Sequence, residues 1–183
     1  MKKGINDPVF DYCFRKLLAI EGDYVDDPSD SGGKTRYGIT EKVARKNGYK
    51  GEMNVLPLDL AKKIYKSCYW DVLRLDEVSS EKLCEELFDS AVNMGTTCVK
   101  CWWQECLNVL NNRGSRWDDL KVDGVIGKKT IAATNAACSL IKWEKRLVKL
   151  LNCVQGSFYK DLCERREKDE RFLGGWLDHR VSM

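Results

Sequence analysis

The sequence predicts a mainly α protein with at most a small β-hairpin beside an Asp- and Gly-rich loop. Three observations predict it. Apolar residues recur at three- and four-residue spacing over most of the chain, as at Leu83, Leu87, Phe88 and Ala91. Helix start and stop residues bracket those runs, with Asp7-Pro8 and Thr40 at starts and Gly22, Gly48 and Gly95 at stops. Only one stretch, Gly22 to Gly38, replaces helical periodicity with turn residues, so it holds the one plausible sheet.

The elements follow in order. Asp7 can cap a first helix with Pro8 at its first position, where a missing N–H costs nothing. Phe10, Phe14, Leu17 and Leu18 form its apolar face, and it delivers Glu21 before the stop at Gly22. A hairpin around Gly32-Gly33 precedes Thr40, an N-cap residue for a short helix ending at Gly48. Val55-Leu56-Pro57 opens the next helix, with Leu60, Ile64, Tyr65 and Cys68 inward and an end near Tyr69-Trp70. Glu81 to Met94 is helical, and Thr96 to Leu110 follows. In that helix the adjacent Trp102 and Trp103 cannot share a face. Residues 111–121 read as a polar loop, and Asp123-Gly124 turns into a helix started by Gly127. Trp143 to Arg166 forms a long helix with Leu147, Leu150, Leu151, Val154, Phe158, Leu162 and Cys163 on its apolar side. Gly174-Gly175 is expected to turn the chain so that Trp176 folds back on the body.

Composition narrows the function classes. Of 183 residues, 43% are hydrophobic and 32% charged, a globular balance that fits one domain or two small lobes. A net charge of +3 is too mild for a dedicated nucleic-acid binder, and suits an anionic polymer such as a cell wall. No apolar run is long enough to span a bilayer, and the charged N-terminus lacks the apolar core of a secretory signal. The expectation is synthesis in the cytoplasm, with release to the wall by a holin-type or other route, and a monomer. Nine cysteines, an odd number, with no signal segment point to a reducing compartment. Cys98, Cys101 and Cys106 fall in a helical apolar stretch far from His179, the single histidine, so they read as small apolar side chains rather than zinc ligands.

The candidate chemistry lies at Glu21 and Asp30. A carboxylate at a helix end and a second on a facing loop are one way to set two acids around a bond. Glycoside hydrolysis needs one protonated carboxyl to donate to the leaving oxygen and one ionised carboxylate to activate water or attack carbon. Glu21 follows Leu17, Leu18 and Ile20, where desolvation would raise its pKa, while Asp30 sits among Ser29, Ser31 and Gly32. Glu21 is therefore expected to be the acid and Asp30 the base. A surface glutamate and a plain turn would give the same spacing. A calcium loop built from Asp23, Asp26, Asp27 and Asp30 fails the EF-hand pattern, since no Glu closes a twelve-residue loop.

Glu21-Gly22-x-Tyr24, then Asp27-Pro28-x-Asp30-x-Gly32-Gly33-x-Thr35-x-Tyr37-Gly38-Ile39-Thr40, resembles the signature of glycoside hydrolase family 108. That family contains phage and bacterial N-acetylmuramidases of the lysozyme-like superfamily. Phe88-Asp89-x-Ala91-x-Asn93-x-Gly95 resembles a second family motif. Asp123-Gly124-x-x-Gly127-x-x-Thr130 and the closing Phe172-x-x-Gly175-Trp176-x-x-x-Arg180 stretch resemble the peptidoglycan-binding region that accompanies it. One departure is Asp23, where the family usually has a second Gly after the Glu. The resemblance implies a lysozyme-like fold, with residues 5–95 a catalytic region and 96–180 a helical peptidoglycan-binding region. It implies cleavage of the β-1,4 bond between N-acetylmuramic acid and N-acetylglucosamine by Glu21, Asp30 and Thr35. Tyr24, Tyr37 and Asn93 would then bind the sugars, with no cofactor. Two alternatives share the fold: a lytic transglycosylase, and a non-catalytic wall-binding or secretion-associated protein.

Overall fold

The structure, a computed structural model, describes residues 7–21, 24–25 and 34–181, with the backbone alone at Ile20, Glu21 and Val25. Eight α-helices and three two-residue strands lie among the described residues. The fold is the mainly α one the periodicity predicts. It divides into two compact units, Met1–Val72 and Leu73–Met183.

The first unit begins with α1 (Pro8–Glu21). Asp7 caps it as expected: its carboxylate accepts from the Val9 amide at 2.8 Å and the Phe10 amide at 3.4 Å. Then come β1 (Tyr24–Val25), β2 (Thr35–Arg36), β3 (Ile39–Thr40), α2 (Glu41–Lys46) and α3 (Leu58–Tyr65), which runs into a π-helical turn at Lys66–Trp70. The core is aromatic. Phe10 meets the edge of Trp70 at 5.2 Å, and Phe14 meets Tyr65 at 5.6 Å. An Asp11–Lys62 ion pair lies beside them. Trp70, Tyr65 and Phe10 are essentially fully buried, so this cluster holds α1 against α3 by apolar burial and ring contacts.

The second unit is built around α7 (Trp143–Arg165), which packs against α4 (Glu81–Met94), α5 (Thr96–Leu110), α6 (Lys128–Ser139) and α8 (Glu170–Arg180). Because α4 packs on α5 and α7, the compact units divide at Val72/Leu73, earlier than the expected functional boundary at 95/96. Trp103 is fully buried, while Trp102 is partly exposed and meets Phe158 edge-on at 5.2 Å. Nine free thiols are distributed through both units, with Cys13, Cys84, Cys106 and Cys163 buried. Burial pushes the Cys106 thiol up to about 12, as for an inert packing group.

Two expectations are corrected here. Gly174-Gly175 does not turn the chain: α8 runs through both, and Trp176 reaches the body from the helix, stacked on Tyr159 at 4.8 Å and on Phe172 at 5.9 Å. Stacking on one side of a helix supplies the contact that a turn would otherwise have to make. The buried stripe of α7 is also not the apolar series. It includes Asn152 and Gln155 alongside Leu147, Val148, Leu151, Tyr159 and Cys163, whereas Leu150, Val154, Phe158 and Leu162 are only half-buried.

Polar side chains in this core are mostly spoken for. Asn152 donates to the Glu86 carboxylate at 2.7 Å, and the Ser90 hydroxyl donates to it at 3.3 Å. Burial nevertheless raises Glu86 to about 7, and the nearby Asp89 carboxylate pushes the same way. On α5, Gln104, Asn108 and Asn111 recur at four and three, and together pin residues 111–125 to the helix. Gln104 accepts from the Asp123 and Gly124 amides and donates to the Asp123 carboxylate and the Val125 carbonyl. Asn108 exchanges two bonds with the Leu120 backbone. Asn111 donates to Asp119 and accepts from the Gly114 amide. Several backbone groups of the long polar loop are thus satisfied by side chains along one helix and its C-cap.

Two outcomes are expected. Gln104→Leu leaves the Gly124 amide without its partner and takes one of two bonds from the Asp123 amide and the Val125 carbonyl, and should cost about 1–3 kcal/mol in urea unfolding. Glu86 has a folded-state pKa above its unfolded value. The unfolded chain therefore loses this proton first as pH rises, and stability should fall between about pH 4.5 and pH 7. The total is about 3 kcal/mol, and a Glu86→Gln variant followed across that range should lack this part of the slope.

Candidate functional site

The segment that carries the candidate chemistry is organised by a two-residue hairpin. Thr35 pairs with Thr40 and Arg36 with Ile39, so Tyr37 and Gly38 form the whole turn. Both have positive φ, +52° at Tyr37 and +72° at Gly38, as the turn that suits the right-handed twist of adjoining strands requires. Glycine adopts this freely. Tyrosine does not, and the left-handed conformation costs it roughly 1 kcal/mol or more.

Two contacts hold Tyr37 there. The Tyr65 hydroxyl, from the buried aromatic core, donates to the Tyr37 carbonyl at 2.9 Å. The Arg36 guanidinium lies over the Tyr37 ring at 4.8 Å and its Nη2 donates to the Tyr37 hydroxyl at 3.1 Å. The expected hairpin at Gly32-Gly33 falls outside the described residues, and the tight turn lies at Tyr37-Gly38.

The sheet has three strands in the order β1-β2-β3, one more than a single hairpin. On β1, Tyr24 pairs with Arg36 and Val25 with Thr35. Three of the expected site residues, Tyr24, Thr35 and Tyr37, therefore come together on one small sheet. Tyr24 is 39% exposed, and Thr35 and Tyr37 are half-buried. Glu21 is the last residue of α1, and β1 begins three residues later at Tyr24, so the helix that carries it leads straight into this sheet. The side chain of Glu21 and the whole of Asp30 lie outside the described residues. In the sequence Asp30 falls between Val25 and Thr35, which are directly paired.

Asn93 lies in the second unit, near the end of α4. Its side-chain amide donates back to the Asp89 carbonyl at 2.9 Å and to the Asp89 carboxylate at 3.3 Å, and Gly95 follows at φ +85°. The Asp123-Gly124-x-x-Gly127-x-x-Thr130 motif is used in packing. Asp123 accepts from the Val125 amide at 2.9 Å and is held below the usual carboxylate range by that bond and by the Gln104 amide. Gly124 takes φ +68° beside Cys101, and Gly127 stands before α6. Among the described residues no three His, Cys, Asp or Glu side chains converge as metal ligands. No helix among them is long and apolar enough to cross a membrane.

The positioning role of Tyr65 was not legible in the sequence. Its spacing marks it as a core residue, which it is, but the partner of its hydroxyl is 28 residues away. The side chain of Arg36 is likewise unremarkable in the sequence until the turn brings it over Tyr37.

Comparison with known proteins gives two consecutive matches along the chain. Residues 14–95 match the Glycosyl hydrolase 108 family, and residues 99–181 match the Predicted Peptidoglycan domain. No curated protein matches the chain. Among solved structures, SagA from Brucella abortus shares the fold at a TM-score of 0.71, with 24% sequence identity over 93% of this chain and 88% of that one.

Tyr65→Phe keeps the ring against Phe14 and removes the bond to the Tyr37 carbonyl. It should cost about 1 kcal/mol in denaturant unfolding. It should also speed hydrogen exchange of the β2 and β3 amides, while the α4–α5 amides stay protected.

Proposed function

Because residues 14–95 are a glycosyl hydrolase 108 region and residues 99–181 a Predicted Peptidoglycan domain, we propose that this protein is an N-acetylmuramidase. It would cleave the β-1,4 bond between N-acetylmuramic acid and N-acetylglucosamine. The two regions together support a glycoside hydrolase with peptidoglycan as its partner, residues 5–95 working on the glycan and residues 96–180 holding the wall.

The observation that carries the finer reading is local. Glu21 ends a helix anchored by a buried aromatic cluster, three residues before the strand that begins at Tyr24, whose sheet also carries Thr35 and the Tyr37 turn. A catalytic acid needs a fixed backbone and a rigid neighbouring surface, because proton transfer demands hydrogen-bond reach to the leaving oxygen. In this reading Glu21 protonates the glycosidic oxygen. Asp30, on the segment between the paired Val25 and Thr35, acts on the opposite side of the sugar as base. Thr35 positions the attacking water, and Tyr24 and Tyr37 line the sugar site. Asn93 contributes a hydrogen bond to the sugar once its amide leaves Asp89. No cofactor takes part. Access to the wall is by holin-type or other release.

Glu21→Gln should leave the thermal unfolding curve in place and reduce release of reducing sugar from purified sacculi by about 10²–10⁴-fold. Asp30→Asn should also lose most activity. Mass spectrometry of the products should show reducing N-acetylmuramic acid ends. An anhydro product would instead assign a lytic transglycosylase, and full activity of the Gln variant would remove Glu21 from the mechanism.

A further inference from the structure

The second unit carries a cationic, partly apolar surface that its packing does not use. The loop from Asn111 is fastened to α5 by the amide row and by Trp117, whose indole N–H donates to the Leu107 carbonyl at 3.1 Å. Trp117 in turn meets Trp143, the first residue of α7, edge-on at 6.5 Å and 90°. Trp143 is half-buried, and two exposed arginines lie on its ring: Arg116 at 4.2 Å and Arg146 at 4.6 Å from the ring centre. Neither guanidinium has a carboxylate partner among the described residues. The one acid in the first turn of α7, Glu144, is engaged by the Ser80 hydroxyl.

Next to this stack the turn between α6 and α7 borders an open cleft of about 380 Å³. Leu140, Ile141, Lys142 and Lys145 are among the residues that line it. Ile141 is 87% exposed and Leu140 39% exposed. Lys142 and Lys145 also lack an ion-pair partner among the described residues. Four cations that form no ion pair among the described residues, two of them stacked on an indole ring, thus lie at or beside a small apolar surface, against the one Glu144 carboxylate that also lines the cleft.

We propose that this turn is where the domain grips peptidoglycan by the carboxylates of its peptide stems rather than by its sugars. The inference rests on peptidoglycan being the partner of this chain. In that polymer the amino sugars are neutral once the lactyl groups are amide-linked to peptide. The negative charge lies on the stems, whose alanine methyls match the Leu140–Ile141 surface. Arginine presents a planar fork that pairs with a carboxylate through two parallel bonds. Stacking on Trp143 orients those forks in advance, which lowers the ordering cost of binding. An anionic membrane is the weaker occupant. Electrostatic membrane attachment takes a cluster of about 4–8 basic residues spread over a surface; the four here are at the lower end of that range and border a concave cleft, with two of them stacked on one tryptophan.

The test uses the full chain and two probes, a disaccharide carrying a tetrapeptide stem and the same disaccharide without it. Wild type should bind the stem-bearing probe at least about tenfold more tightly, and that preference should weaken with added salt. In Arg116→Gln/Arg146→Gln the preference should collapse, and Arg116→Lys/Arg146→Lys, which keeps charge but loses the forks, should fall between. The lysine pair also serves if the glutamine pair fails to fold. Equal affinity of wild type for both probes would overturn the proposal, as would an undiminished preference in the folded double variant. Tighter capture by phosphatidylglycerol vesicles or by a polyphosphate than by the stem-bearing probe would overturn it too. Reducing-end release by wild type from stem-free glycan chains reports separately on the hydrolase reading, so loss of one result leaves the other readable.

Discussion

The hydrogen bond from the Tyr65 hydroxyl to the Tyr37 carbonyl ties the candidate site to the core of its unit. Three strands of two residues each cannot hold themselves together in water. Here the tight turn between β2 and β3 is anchored from beneath by a residue whose ring is already locked by Phe14. The turn requires positive φ at Tyr37, a non-glycine residue, and the bond to its carbonyl offsets that cost. Once β2 is in place, β1 pairs on its other edge and the chain must emerge from α1 beside it. The position of Glu21 at the end of α1 and the position of the sheet therefore have a common origin in the Phe10, Phe14, Tyr65 and Trp70 cluster.

The second unit solves a comparable problem with amides instead of rings. A polar segment between two helices has many backbone groups to satisfy and few apolar side chains to bury. Gln104, Asn108 and Asn111 satisfy those groups from one side of α5, and Leu120 and Ile126 are the apolar residues the segment buries. This fixes Trp117 and Arg116 against the start of α7. The loop is thereby converted from a connector into one wall of a surface. Asp123-Gly124 and Gly127, the part of the segment that resembles a family motif, are parts of the same fastening. Their residue types follow from the turn, where Gly124 takes positive φ, and from the start of α6.

Much of the helical architecture was legible because a helix announces itself through local periodicity and local caps. Asp7, Thr40 and Ser80 each accept from a backbone amide in the first turn of the helix that follows. Gly48 and Gly95 each have positive φ just past a helix. Reading failed where a local signal had two physical outcomes. Gly174-Gly175 weakens a helix without forbidding it, and the stacking of Trp176 on Tyr159 and Phe172 keeps α8 continuous. The stripe of α7 was drawn through its leucines, but Asn152 and Gln155 are buried because α4 and Tyr159 offer them partners. For the candidate site, the motif around Glu21, Asp30 and Thr35 lies within residues 14–95, the stretch that matches the glycosyl hydrolase 108 family.

By itself the sequence determined most of the helices, several of their caps, the mainly α class and the family models that residues 14–95 and 99–181 match. These depend on residue type and on spacing within one or two turns of chain, so they can be read without coordinates. Tertiary structure alone decided that Tyr37-Gly38 is the turn, that Tyr65 supports it, that α4 packs with the C-terminal helices, and that Arg116 and Arg146 meet on Trp143. Each of those depends on groups separated by roughly thirty residues or on which of several equally suitable partners lies nearest. Hydrogen-bond donors and ring faces are directional, and where they point is set by packing that no local pattern encodes.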